Sequence, residues 1–447
     1  MHSTALPRVV DDIWYLVIAI LTEPAPTPDN SHENNHARHP NFTDLLALSS
    51  ASKGLRNLLA PRLFRTLDLH NNAKSASSVL AVSQGSLARH VKELRYTITC
   101  APDLPFEELY PPALDSVLTN LSQFPALEKL GMIFPQDRRN DLIWDNLWDF
   151  ANDNFVDDAA EAADEEKATP WRGTMASSYR TIASNYNSNI DAAQHRSLDF
   201  SITNLPLVTA STFSSPQFHT FLSQLNSFTL SLPHLNNGVG WSINTQEIYP
   251  GFVDNLPFWF FDHLSSIESF TFDPRETGIL GAWQDRYRTE IGIFQANMPN
   301  LRRLELANVA VCEELSDFVI RHKGTLEVVI LRDCHAGERP GSMSWADLFT
   351  AVAGAELPRL REVDVQDEGV EVEIRDSWRD DAWVKQRLIE VRSQPGVHTF
   401  AYGSLDDKYG FLRVSLETVY RRFLEGEDGR AFAEVLRVVE RNRKNIG

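Results

Sequence analysis

Cysteine, methionine, basic residues and unbroken apolar stretches are all in short supply in this sequence of 447 residues. The three cysteines, Cys100, Cys312 and Cys334, are far apart, odd in number and never part of a CxxC pair. A disulfide framework and a thiolate zinc site are therefore not expected, and buried thiols are. The longest apolar run, Ile13 to Leu21, falls well short of the roughly 20 residues that a membrane-crossing helix needs. It follows Asp11 and Asp12 in place of a basic region and ends in Thr22-Glu23-Pro24, so it does not read as a signal peptide. The expected location is cytoplasmic or nuclear. Lys and Arg total 42 against 61 Asp and Glu, a formal net charge of −19. That balance disfavours nucleic acid as a partner, because neutralising phosphates takes clustered cations, and leaves basic protein surfaces possible. GxSxG, GxxxxGK[ST] and GxGxxG are all missing. Cys334 and His335 are neighbours in sequence, but a nucleophile and its base must meet in space beside a third orienting group. The expectation is a non-enzyme with no cofactor and no metal.

What the chain does have is the balance of a globular protein, 43% hydrophobic and 23% charged. Val10, Ile13, Val17, Ile20 and Leu21 lie at helical spacing, with Pro7 near the first turn and Asp11 and Asp12 at the favourable end of the dipole. A second helix is predicted from Thr43, burying Leu45, Leu46 and Leu48, and a third carries Leu55, Leu58 and Leu59 to Pro61. Arg65 to Leu69, RTLDL, then alternates as a half-buried strand would.

This order, Leu6-Pro7, an amphipathic helix, then TDLLALSSASKGLRNLLAPRLFRTLDL, resembles the F-box motif of fungal F-box proteins. In that family the motif docks onto the small adaptor subunit of a cullin-RING (SCF-type) ubiquitin ligase, while the rest of the chain selects what is ubiquitinated. The resemblance covers about the first 70 residues. It implies that Leu6, Pro7, Val10, Ile13, Leu45, Leu46 and Leu48 contact the ligase adaptor. The sequence departs from the family over residues 23–41, a Pro-, Asn- and His-rich insertion where a short connection is usual; loop closure entropy tolerates such length. His32, His36 and His39 fall in this insertion, where a plain polar loop is expected in preference to a ligand cluster.

Further along, LRRLELANV from Leu301 and LEVVILRDC from Leu326 both place apolar residues first, fourth and sixth, 25 positions apart. This resembles the leucine-rich repeat pattern. The same register recurs from Val91, Leu127, Leu225, Ile267, Leu360 and Val397. Each copy reads as a short strand with one face in the core. Its fifth residue points to the other face, so Arg95, Thr229, Thr271, Glu305, Ile330 and Asp364 are expected to form one row able to read a protein substrate.

The rhythm fails between Leu127 and Leu225. There Trp144 and Trp148 precede an acidic stretch, residues 149–169, expected to be a mobile, solvated excursion. After Val397, two amphipathic patterns within residues 411–445 suggest helices that close the end of the chain. The expected architecture is thus α/β: an N-terminal three-helix F-box-like unit over residues 1–66, followed over residues 67–447 by an irregular leucine-rich-repeat solenoid. The expected function is substrate recognition for a cullin-RING ligase, the alternative being a protein-binding scaffold of the same fold with no ligase association.

Overall fold

The computed structural model describes residues 42–136, 158–188, 198–236, 240–281, 289–338, 341–366, 381–394 and 396–445. Among them are thirteen strands: β1 (Thr66–His70), β2 (Glu93–Thr97), β3 (Lys129–Ile133), β4 (Asp199–Thr203), β5 (Ser227–Ser231), β6 (Ser269–Asp273), β7 (Arg303–Ala307), β8 (Ala310–Val311), β9 (Val328–Arg332), β10 (His335–Gly337), β11 (Glu362–Gln366), β12 (Tyr402–Leu405) and β13 (Leu412–Val414). Nine form one sheet in the order β1-β2-β3-β4-β5-β6-β7-β9-β11, every pair parallel. Four short strands form a second sheet, β13-β12-β10-β8.

The helices are α1 (Phe42–Ala51), α2 (Lys53–Leu63), α3 (Ala73–Ser83), α4 (Phe106–Leu109), α5 (Pro112–Thr119), α6 (Ala159–Ala168), α7 (Pro170–Ser188), α8 (Pro216–Ser223), α9 (Ile248–Trp259), α10 (Glu313–Arg321), α11 (Trp345–Gly354), α12 (Asp381–Arg392), α13 (Leu416–Glu425) and α14 (Glu427–Lys444). Several begin on polar caps that satisfy free amides. Ser52 accepts from the Leu55 N–H at 3.1 Å, Asn72 from Ser75 at 3.0 Å, and Ser344 and Asp347 form a reciprocal capping box at α11.

Alternate residues of the main strands meet helix side chains in one continuous core. Phe200, Phe228 and Phe270 lie abreast on β4, β5 and β6, each at most 1% exposed, and join Phe218, Phe221 and Leu256 from the helices. Burying each Phe side chain is worth about 2–3 kcal/mol. The other face of these strands is polar, so the main sheet is packed on one side by helices.

The C-terminal end is held by a buried polar clasp. The Asp428 carboxylate accepts from the Tyr402 hydroxyl at 2.9 Å, from the Ala346 amide at 3.0 Å and from Arg422 Nη2 at 3.3 Å. Asn442, further along α14, donates to the Leu357 and Leu360 carbonyls at 2.7 and 2.9 Å, fixing the helix to the approach of β11.

The expected three-helix unit followed by a leucine-rich-repeat solenoid is corrected here: the chain is an α/β fold on one nine-stranded parallel sheet, and no solenoid is seen among the described residues. The register of apolar positions locates strands but says nothing of what lies between them. Whole helices intervene, the longest being α7 at 19 residues, and β7 and β9 are followed by strands of a separate sheet. Residues 1–41, with the first expected helix, the insertion and its histidines, lie outside the described residues, as do Trp144 and Trp148. Of the expected helical unit, α1 and α2 are described, and α2 runs past Pro61 to Leu63.

The acidic stretch also differs from expectation where it is described. Asp158 caps α6 by accepting from Ala160 and Glu161, and Glu166 accepts from the Ser211 amide at 2.6 Å and its hydroxyl at 2.8 Å. Ala162 is fully buried. Two anchored carboxylates, Glu166 on Ser211 and Glu165 on Arg172, together with small side chains seat this helix against the core.

Candidate functional site: the polar face of the main sheet

On the face turned away from the helices, strand pairing sets side chains in straight rows. One row runs Asp68, Arg95, Gly131, Ser201, Thr229, Thr271, Glu305, Ile330, Asp364, each residue the pairing partner of the next. All six residues expected to share a row do so. Sequence reasoning missed Asp68, Gly131 and Ser201. On β4 the first position of the register is Ser197, so the apolar fourth and sixth positions, Phe200 and Ile202, were the only available signal.

Three chemistries succeed one another across this face. The middle strands carry hydroxyls: Ser201 and Thr203 on β4, Ser227, Thr229 and Ser231 on β5, Ser269 and Thr271 on β6. Toward β1, Arg95 Nε bonds Glu93 at 2.8 Å and the Thr66 hydroxyl donates to the same carboxylate at 3.0 Å. Burial pushes the Glu93 carboxyl upward, but these bonds outweigh it and hold the group below its ordinary range. On β4, burial raises Asp199 against the opposing pull of Lys129.

Toward β11 the Glu305 carboxylate is gripped from both sides, by Arg303 at 3.0 Å and Arg332 at 2.6 Å. Its side chain is only 16% exposed, so Glu305 is tied into the sheet and organises two arginines. Ile330, expected on an open face, is 6% exposed and lies outside the main core, set between Glu305 and Asp364. The stems of long charged neighbours can cover an apolar residue in this way. Asp364 accepts from Gln366 at 2.5 Å.

The carboxyl ends of the strands carry left-handed backbone at Asn204, Arg275, Asn308 and Asp333, with φ of 56°, 64°, 53° and 48°. Asn and Asp tolerate this region; Arg does so at a cost. Asp273 offsets that cost by accepting from the Arg275 amide at 2.8 Å and pairing with its guanidinium at 3.3 Å, while Asn308 donates to the same carboxylate at 2.9 Å.

The predicted docking residues of the N-terminal segment are separated by the structure. Leu45 is buried with Leu59 and Leu63 in a small core distinct from the main one, Leu48 is half-buried against it, and Leu46 is 44% exposed. Leu6, Pro7, Val10 and Ile13 lie outside the described residues. The cysteines are all buried, with burial pushing each thiol up to about 12. No group of three or more His, Cys, Asp or Glu among the described residues is placed to hold a metal ion, and no described helix is long and apolar enough to cross a membrane. No family model, curated protein or solved structure matches this chain.

Proposed function

We propose that this chain is a non-catalytic adaptor that presents a protein substrate to a cullin-RING ubiquitin ligase in the cytoplasm or nucleus. It docks the ligase adaptor subunit through its F-box-like N-terminal segment and the substrate through the polar face of the main sheet. The observation that carries this reading is the face itself. Parallel sheets are ordinarily buried on both sides and built from continuous apolar strands. Here strand after strand alternates, giving a broad floor of hydroxyls between two charged margins, which suits a polar protein surface.

The N-terminal segment supports the other half of the reading. Its sequence resembles the F-box motif, it folds as a helical pair with its own small core, and it leaves Leu46 exposed. The test is recovery of partners by the full chain. Leu46→Glu should lose the ligase adaptor subunit and keep the substrate; Thr229→Lys with Thr271→Lys should do the reverse. If the unaltered chain recovers no ligase adaptor, the scaffold without a ligase is the correct reading.

A further inference from the structure

The chain is acidic overall, yet its described N-terminal end is not. Residues 42–92 hold seven cations, Lys53, Arg56, Arg62, Arg65, Lys74, Arg89 and Lys92, against two carboxylates, Asp44 and Asp68, within a chain of net charge −19. Residues 1–41 add two cations and five carboxylates, which still leaves this end of the chain net positive. Of the seven cations in residues 42–92, all but Lys92 are exposed. Lys92 is paired with Glu128 at 2.6 Å, while Lys53, Arg56, Arg65 and Lys74 have no ion-pair partner among the described residues.

Folding gathers several of them. The Arg65 carbonyl accepts from the Lys92 and Glu93 amides at 2.8 and 3.0 Å, which puts Arg65 beside the turn that carries Arg89. Helix α2, with Lys53, Arg56 and Arg62, packs against that same turn. Exposed Leu46 stands on the adjoining helix α1.

We propose that this basic end is a docking surface for an acidic protein surface, with Leu46 as its apolar anchor and the surrounding cations as its rim. This rests on the reading of the N-terminal helical pair as a docking element and adds the chemistry of what it docks. Two observations favour protein over nucleic acid. The large apolar side chain exposed on α1, beside the cation-bearing α2, is a leucine, which offers no ring for a base to stack on. A uniformly charged polyanion would also meet like charge on the acidic remainder of the molecule, whereas a protein can confine its carboxylates to the contact. The same contrast repels an acidic partner everywhere else and steers it to this end.

The test measures binding of labelled poly-L-glutamate, and separately of a labelled DNA duplex, to the full chain and to Arg56→Glu/Arg65→Glu/Arg89→Glu. The expected result is poly-glutamate binding that weakens with added salt and falls by about tenfold or more in the triple variant. The corresponding glutamine triple should give an intermediate loss, and reversing Arg421, Arg437 and Arg441 at the other end should change nothing. Unaltered thermal unfolding of the triple variants shows that the loss is one of charge. The inference is overturned if poly-glutamate does not bind, if both sets of reversals weaken it alike, or if the duplex binds more tightly. Failure of the purified ligase adaptor to bind while poly-glutamate behaves as expected would remove the ligase reading and leave this one standing.

Discussion

Single side chains set the pH response and fix the margins of the polar face. His335 on β10 is 1% exposed and its Nδ1 meets no protein group among the described residues. Burial pushes its imidazole down to about 4. The unfolded chain, with an imidazole near its usual value of about 6.5, binds the proton more tightly. Stability is therefore full above that pH and falls as pH drops toward 4, by about 3 kcal/mol from this group. Burial shifts His322 and His219 in the same direction. His335→Met should flatten the decline between about pH 6.5 and 4 in urea unfolding; an unchanged slope would assign it to other groups. Charge reversal separates two carboxylates of the sheet face. Glu305→Lys sets a third cation against Arg303 and Arg332 and should cost about 1–3 kcal/mol. Asp364→Lys, at the sheet margin, should stay within about 0.5 kcal/mol. Both values are read from urea midpoints. The sequence places both residues in one row but cannot tell a gripped carboxylate from a loosely held one, because the arginines that decide it come from other row positions.

Neighbouring leucines of one helix should respond oppositely. Leu45→Glu buries a charge in the small core with Leu59 and Leu63 and should unfold α1 and α2. Leu46→Glu should change stability by no more than about 0.5 kcal/mol. Circular dichroism melts of the two variants give the comparison, and equal destabilisation would mean the face of α1 is misassigned. The acidic helix α6 offers a second check. Its amides should be protected from exchange, and Glu166→Ala, which frees the Ser211 amide and hydroxyl, should abolish that protection first. Strands were the most legible elements. Apolar residues at the first, fourth and sixth positions mark β2, β3, β5, β6, β7, β9 and β11, since a strand buried on one face must alternate. The two-residue β8 and three-residue β10 are too short to alternate visibly. Helix α6 escaped notice because its seat depends on carboxylates and alanines, which carry no apolar periodicity.

In the whole molecule, one core runs from Leu69 to Val439, while the helical pair at residues 42–63 keeps its own. Hydrogen exchange should show the main sheet opening as one unit and the helical pair opening at lower free energy; a single opening energy across both would refute this. How units stack was the least legible level, because strand register constrains neighbours along the face and leaves the intervening helices free to form a layer. The Asp428 clasp shows the same limit: Tyr402, Arg422, Asp428 and Ala346 meet across more than 80 positions of sequence, with no local pattern to announce it. Asp428→Ala, which removes the buried acceptor of the Tyr402 hydroxyl and the Ala346 amide while Arg422 keeps Glu427, should cost about 1–3 kcal/mol in urea unfolding. The strict strand order has a consequence for synthesis. Each strand of the main sheet pairs only with the main-sheet strands before and after it in the chain, so no early strand of that sheet waits for a late one. On the ribosome the sheet can be laid down from β1 onward as each segment emerges, with the growing edge exposed at every stage. Helix α14, which emerges after every strand of the main sheet, is the one that locks β11, the last of them.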